Sequence, residues 1–436
     1  MGGWTIALTA AILIGYAAFS RKLKGALITA AMVFVVAGYA LGTNGLDALR
    51  TGLTPGGIRL LAEATLALVL FTDAADLDTR ALSRESSVPL RLLGIGLPLT
   101  IIIGTLVALP LFSGLGLFEA LILAVLLAPT DAALGQAVVS DERLPSPIRQ
   151  GLNVESGLND GICVPLLFAA LAMAELDGRR SFNGQIVIDL VKEVGIATLV
   201  GVAVALISGA ILVHATRRGW MEVHWQQVVP PAAAALAYVS TDKLGGSGFI
   251  ACFVAGLLYG RVVGRHAHET TVFAEEVGQV LSACTFFVFG AVVIAKAIPH
   301  LDLATVVYAV LSLTLVRMLP VAIALAGSGA APRTMAFAGW FGPRGLATIV
   351  FMLTIVEESG LKGTPRIVQV ATFTVVLSVF AHGITALPLT ARYVRWFSSN
   401  NGTLRMETAE VTTQVTPRGL ARRNVDGATP NPRNET

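Results

Sequence analysis

Long apolar runs separated by short polar connections fill the chain from its start to about residue 396. A hydrocarbon core takes roughly 17–25 apolar residues per helix, and about 13 such runs recur. They cover residues 4–19, 26–42, 57–72, 88–112, 117–139, 147–174, 185–213, 227–241, 246–260, 273–298, 302–326, 334–356 and 366–391. The runs are continuous and do not alternate every second residue, which excludes an outer-membrane barrel. The pattern therefore predicts an all-α polytopic membrane protein of about 13 transmembrane helices.

Two of the runs carry an interruption. "LLAPTDAALG" (126–135) has Pro129 in mid-run, and "FGPRGLAT" (341–348) has Pro343 between Gly342 and, beyond Arg344, Gly345. Proline removes a backbone donor and clashes with the preceding turn, so both helices are predicted to unwind or kink at membrane depth. The two prolines lie 214 residues apart. The pairs Ala62-Glu63 and Ala274-Glu275 lie 212 apart. This offset spans seven helices, an odd number, so the related halves are inverted in the membrane. Paired interrupted helices in two such halves mark the binding site of a secondary transporter.

Composition agrees with the pattern. Of 436 residues 54% are hydrophobic and 14% are charged, against about 25% charged in a soluble domain. The net charge of +3 is small, and no nucleic-acid partner is expected; its placement is more telling. Arg21, Lys22 and Lys24 follow the first run, and Arg80, Arg84, Arg143, Arg149, Arg217, Arg218, Arg261, Arg265, Arg333, Arg392 and Arg395 fall on the same side. Arg179 and Arg180 run against the trend. The bias places the N-terminus outside and the C-terminus in the cytoplasm of an inner (plasma) membrane. The first run lacks a basic leader and is expected to stay as a helix. Residues 397–436 are polar and are expected to form a disordered cytoplasmic tail. Cys163, Cys252 and Cys284 all lie in apolar runs and read as packing residues.

The chemistry concentrates in "NVESGLNDG" (153–161). Between Arg149 and Glu175 the only charged residues are Glu155 and Asp160. A charge at the bilayer centre costs about 2.5–3.5 kcal/mol on insertion scales, so such groups face one another or a wet cavity. Glu155 with Asn159, and Ser156 with Asp160, are i, i+4 steps that share one helix face. Their carboxylate, hydroxyl and amide oxygens form a ligand set for a hard cation such as Na⁺, which Thr130 and Asp131 of the broken helix can complete. Asp131 also lies where it would offset the positive end of a half-helix. Arg344 either compensates a negative half-helix end or pairs with Glu155, and Glu155 either makes that ion pair or binds the cation. Asp73, in "LFTDAADLD", closes the third run and is expected near a surface.

Other features read as bland. Arg317 and Lys192-Glu193 are expected near the interface or in local pairs. His266 and His268 form an H-x-H in a connecting loop, and "KLGGSG" (243–248) lacks a P-loop ending and reads as a turn.

Together the stretch 126–168, "GFIACFVAGLLYGR" (248–261), "FFVFGAVV" (286–293) and "FGPRGLAT" (341–348) resemble the NhaP-type sodium/proton antiporters of the monovalent cation/proton antiporter superfamily. The resemblance covers the whole apolar portion. It implies a 13-helix inverted-repeat fold, usually a homodimer, within a transmembrane domain of residues 1–396. A core bundle (88–174 and 302–391) would rock against an interface part (1–75 and 227–298). Asp160 resembles the family's ion- and proton-binding aspartate, Asp131 and Thr130 its unwound-helix partners, and Ser156 a substrate ligand. Asp160 and Asp131 would then hold only the transported monovalent cation. Glu155 and Arg344 resemble the ion pair that holds Asn159, and Asn at 159 is the pattern of electroneutral exchange. Asp73 joins the binding set, although family members often have a carboxylate followed by Gly there.

The expected function is therefore secondary active exchange of Na⁺, K⁺ or Li⁺ for protons, with no enzyme activity and no cofactor. Two rivals stay open at this point. An intramembrane aspartyl protease would use Asp131 and Asp160 as a proton-sharing dyad, and a cation channel would conduct without moving protons.

Overall fold

The structure, a computed structural model, describes residues 3–23, 27–42, 55–77, 87–139, 141, 143–177, 185–297, 301–358 and 360–400. Every regular element among the described residues is a helix. In the first half these are α1 (Gly3–Leu23), α2 (Ala30–Leu41), α3 (Pro55–Ala75), α4 (Ser87–Leu111), α5 (Leu117–Leu126), α6 (Ala132–Val139) and α7 (Ser146–Asp177). Then follow α8 (Gln185–Arg217), α9 (Val223–Lys243), α10 (Gly248–Val263) and α11 (Ala267–Ala297). The last four are α12 (Leu303–Leu325), α13 (Pro332–Trp340), α14 (Leu346–Glu358) and α15 (Thr364–Ser399). Among the described residues α4, α7, α8, α11, α12 and α15 are long and apolar enough to cross a membrane, and α2, α5, α10 and α14 are shorter apolar helices.

Proline alone does not explain the breaks. Pro110, Pro165, Pro230, Pro231, Pro320 and Pro388 all lie inside helices. The chain leaves helical geometry at Pro129 and Pro343, between α5 and α6 and between α13 and α14. There the neighbours are Thr130-Asp131 and Gly342, Arg344-Gly345, which supply polar groups or room for the freed backbone.

Polar caps set several other ends. Asp302 accepts the Thr305 N–H at 2.9 Å and starts α12, and Ser247 accepts the Ile250 N–H at the start of α10. Gly245, at φ +78°, makes the turn from α9 into α10 within "KLGGSG". The end of α15 departs from expectation, for the helix continues to Ser399 and takes in the first residues assigned to the tail. The cause is aromatic: Tyr393 stacks on Phe337 with centroids 4.4 Å apart, and Trp396 packs on Tyr393. The rest of the expected tail, 401–436, lies outside the described residues, as do Arg80, Arg84, Arg179 and Arg180.

The helices pack in two sets. In one, α10 lies against α3, α8 and α9, while α11 lies against α2, α3 and α9. In the other, α5 lies against α4 and α7, and α12 against α13 and α15. Helix–helix contact in lipid depends on small residues that let backbones meet. Gly256 and Gly260 of α10 face the carbonyls of Phe71 and Ala75, where any Cβ would collide with them. This fixes the end of α3 that carries Asp73 and Asp76. Gly161 of α7 lies under the Phe253 ring in the same way and brings α7 against α10.

Candidate functional site

The two breaks, distant in sequence, touch. The Asp131 N–H donates to Pro343 O at 2.8 Å. The Asp131 carboxylate then accepts two more backbone donors, Leu134 N–H on Oδ1 (3.2 Å) and Leu346 N–H on Oδ2 (2.9 Å). Leu134 is in the first turn of α6 and Leu346 opens α14. One carboxylate thus caps two half-helix N-termini and meets both positive dipole ends. N-termini that converge on one point are what an inverted pair of broken helices produces. Gly345 makes the approach possible, because a Cβ there would run into the Asp131 carboxylate.

Arg344 serves the opposite pole. Its Nη1 donates to Pro129 O (3.3 Å) and Gly342 O (3.1 Å), carbonyls that follow the C-termini of α5 and α13. The side chain is fully buried. A guanidinium on negative helix ends and a carboxylate on positive ones balance the crossover.

The α7 face packs onto this crossover. Ser156 Oγ donates to Thr130 O at 2.6 Å. Asn159 Nδ2 donates to Thr130 Oγ1 (2.7 Å), and Asn159 Oδ1 accepts the Thr130 N–H (3.3 Å). Every polar group of Thr130 is therefore engaged by α7, which holds the unwound residue in place. Thr130, Ser156 and Asn159 are all buried.

Two expectations need correction. Glu155 pairs with Arg317 of α12, Nη1 to Oε1 at 2.5 Å and Nη2 to Oε2 at 2.7 Å, and Arg344 is not its partner. The reason is spatial: Gly342 has no side chain, so Arg317 passes directly over it, where a Cβ would meet the guanidine. Asn159 is accordingly held by Thr130, and the ion pair does not touch it. Arg317, expected near the interface or in a local pair, is buried and paired with a residue 162 positions away.

Ser378 and His382 of α15 also escaped the sequence. The Arg344 N–H donates to Ser378 Oγ at 2.6 Å, and Ser378 Oγ lies 3.1 Å from His382 Nδ1. His382 Nε2 lies 2.9 Å from Trp340 O, the last carbonyl of α13. The His382 ring also places Nδ1 3.0 Å from Ser378 O, so it bridges the Ser378 backbone and Trp340 O. These contacts tie both sides of the second break to α15. A lone Arg in "LTLVRMLPV" and a lone His in "VFAHGITALPL" were the available signals.

Asp160 stands apart from these bonds. It is buried, and its Oδ1 has no hydrogen-bond partner among the described residues. It lines a cavity of about 440 Å³ together with Asp73 and Asp131. Asp73, expected near a surface, lies partly buried against Gly157 of α7. The cavity continues past Arg149, Gln150 and Asn153 in the first turns of α7 to Asp76, just beyond α3, and Glu275 of α11. None of its lining residues comes from the opposite end. There Glu119 accepts the Gly363 N–H at 2.9 Å, and Arg366 pairs with Asp302 at 2.6 Å while lying over the Phe112 ring. Asp302 is held at about 2, below the usual carboxylate range, by the Thr305 hydroxyl, its N–H and Arg366.

Chemically, the cavity reaches a buried carboxylate that makes no ion pair among the described residues. Oxygens of Asp160, Asp73 and Asp131 are the donors a dehydrated alkali cation takes.

The family model for the transmembrane sodium/hydrogen exchanger matches residues 8–392. The K(+)/H(+) antiporter NhaP2 of Shewanella oneidensis is 23% identical over 363 residues, covering 81% of this chain and 60% of that protein. The Na(+)/H(+) antiporter 2 of Zygosaccharomyces rouxii is 25% identical over 328 residues, covering 65% of this chain and 39% of that protein. The chain thus spans about 60% or less of these relatives' length. The sodium proton antiporter MjNhaP1 of Methanocaldococcus jannaschii has the same fold, with a TM-score of 0.72 over 87% of this chain and 98% of that one at 19% identity. With a family model that takes in nearly all the described helices, and a fold shared with a solved antiporter, the chain belongs to the sodium/hydrogen exchanger family.

Proposed function

We propose that this protein exchanges a monovalent cation, one of Na⁺, K⁺ and Li⁺, for protons by alternating access. The observation that carries the reading is Asp160, a buried carboxylate lining an acidic cavity, with no ion pair and no hydrogen bond to Oδ1 among the described residues. A bound cation favours its ionised form, while desolvation favours the protonated one. Cation and proton therefore compete for one group, and access from alternate sides turns competition into exchange. Relatives named as K(+)/H(+) and Na(+)/H(+) antiporters support this substrate class.

Asn159 is neutral and Asp131 is committed to two helix ends, so Asp160 carries the exchange with Asp73 as its neighbour across the cavity. Asn at 159 matches the pattern of electroneutral exchange in the family it resembles, so the proposed ratio is one cation for one proton. Asp131's double cap also leaves it unsuited to a proton-sharing protease dyad. The cavity's one-sided lining speaks against an open channel.

In this proposal each broken pair counts as one crossing, which gives thirteen, with the N-terminus outside and the C-terminus in the cytoplasm of a plasma membrane. The cavity then faces the cytoplasm. The set containing α5, α7, α12 and α15 would carry the site past the set containing α3, α10 and α11, which would form a homodimer. Proteoliposomes test the exchange: a pulse of Na⁺, K⁺ or Li⁺ should collapse an imposed pH gradient at a rate indifferent to membrane potential. No collapse with any of the three ions would refute exchange, and a potential-dependent rate would refute electroneutrality.

A further inference from the structure

The mouth of the cavity carries a cluster that the exchange chemistry does not use. Asp76 follows α3, and His268 and Glu275 lie seven residues apart on one face of α11. His268, expected in a connecting loop, sits in the first turn of α11. Its Nδ1 is 3.3 Å from Asp76 Oδ2 and 3.8 Å from Glu275 Oε1. One ligand atom from each of the three residues lies within 4.8 Å of the other two.

Those separations have a chemical meaning. A tetrahedral Zn²⁺ with ligands at about 2.0–2.2 Å places neighbouring ligand atoms about 3.3–3.6 Å apart. One imidazole and two carboxylates are a three-ligand set that leaves a fourth position to water. Mixed nitrogen and oxygen donors suit zinc and its transition-series neighbours, whereas an all-oxygen set would suit calcium or magnesium. The carboxylates are also oriented from below. The hydroxyl of buried Thr271 lies 3.1 Å from Asp76 Oδ1 and 3.1 Å from Glu275 Oε1. Such outer contacts fix ligand geometry before a metal arrives. His266 belongs to a separate pair, with Nδ1 3.1 Å from Glu269 Oε2.

We propose that Asp76, His268 and Glu275 bind a transition-series divalent cation such as Zn²⁺, and that its occupancy slows entry of the transported cation. Asp76 and Glu275 line the cavity that leads to Asp160. Acidic residues at a cleft mouth concentrate cations, and a dication there cancels both of their charges. The slowing rests on the exchange reading, whereas the metal site stands without it.

The test uses the full chain without a histidine tag. Zn²⁺ titration of the detergent-purified protein should give one saturable equivalent per chain. Since loss of a mere outer partner costs about 10–100-fold, H268A should weaken it by at least tenfold, and E275Q should weaken it as well. In proteoliposomes Zn²⁺ should raise the cation KM of the wild type severalfold and leave that of H268A unchanged. Metal-free exchange by H268A should equal that of the wild type. No saturable Zn²⁺ binding, or equal binding by wild type and H268A, would overturn the site. Binding that leaves the wild-type KM unmoved would overturn the claim that the site lies on the cation's path. A protein that binds Zn²⁺ but exchanges nothing would refute the exchange reading and the slowing drawn from it, and leave the metal site standing.

Discussion

Glu155 and Asp160 lie five residues apart on α7, are 2% and 8% exposed, and meet opposite surroundings. Glu155 faces α12 and receives both terminal nitrogens of Arg317. Asp160 faces a cavity and makes no ion pair among the described residues. A buried carboxylate with a bidentate guanidinium has its charge and lone pairs satisfied and is spoken for by its partner. A buried carboxylate without a partner stays costly until a proton or cation arrives. Burial alone thus does not distinguish a working acid from a structural one. The partner does.

The contrast can be broken most forcefully at Arg317. R317A leaves Glu155 buried and uncompensated, and truncating one member of a buried pair costs about 3–5 kcal/mol. The expected result is a marked fall in thermal unfolding temperature in detergent. The double change E155L/R317M should recover most of the loss, since an apolar replacement of a buried pair is often neutral. A single variant as stable as the wild type would show that the pair does not hold α7 to α12.

Asn159 lies on the same helix, between the two acids. N159A strips two hydrogen bonds from Thr130, and each buried group left unsatisfied costs about 1–3 kcal/mol. Because the freed residue belongs to the crossover, exchange rate should fall more than stability does. Equal stability and equal rate in N159A and wild type would contradict the clamp.

Asp302 provides the smallest effect, as a paired carboxylate at the membrane surface. Its folded value of about 2 lies below its ordinary one, so its stabilising contribution is full above about pH 4 and fades as pH falls toward 2. D302N should therefore unfold slightly below the wild type at neutral pH, and the gap should close on acidification. A gap that widened in acid would reverse the assignment.

Much of this was visible in the sequence because lipid imposes strong rules. Apolar run length gave the helices, and the pairs Pro129 and Pro343 located the breaks, since both lay beside polar residues that could serve a freed backbone. Asp160 stood out as a charge without a bland use. What stayed hidden was pairing. Arg344 and Arg317 both lie in apolar runs of the second half, and choosing which one meets Glu155 depends on where α12 crosses the second break. That crossing turns on the missing side chain of Gly342, a property of three-dimensional approach and not of spacing. Likewise His382 lies 42 residues from the carbonyl it meets, and periodicity carries no information at that range.

The comparison rests finally on Asp160 being the group that protons and cations share. The direct measurement is the cation KM for exchange in proteoliposomes as a function of pH, with D160N beside the wild type. Competition predicts that the wild-type KM climbs as pH falls, by up to tenfold per pH unit, while the rate at saturating cation holds steady. A charge contact of about 4 kcal/mol at an effective dielectric near 20, about a thousandfold in affinity, is lost with the carboxylate, so D160N should show no exchange above empty liposomes. If D160N still exchanged cations for protons, with a KM that tracked pH as in the wild type, the shared site would lie elsewhere.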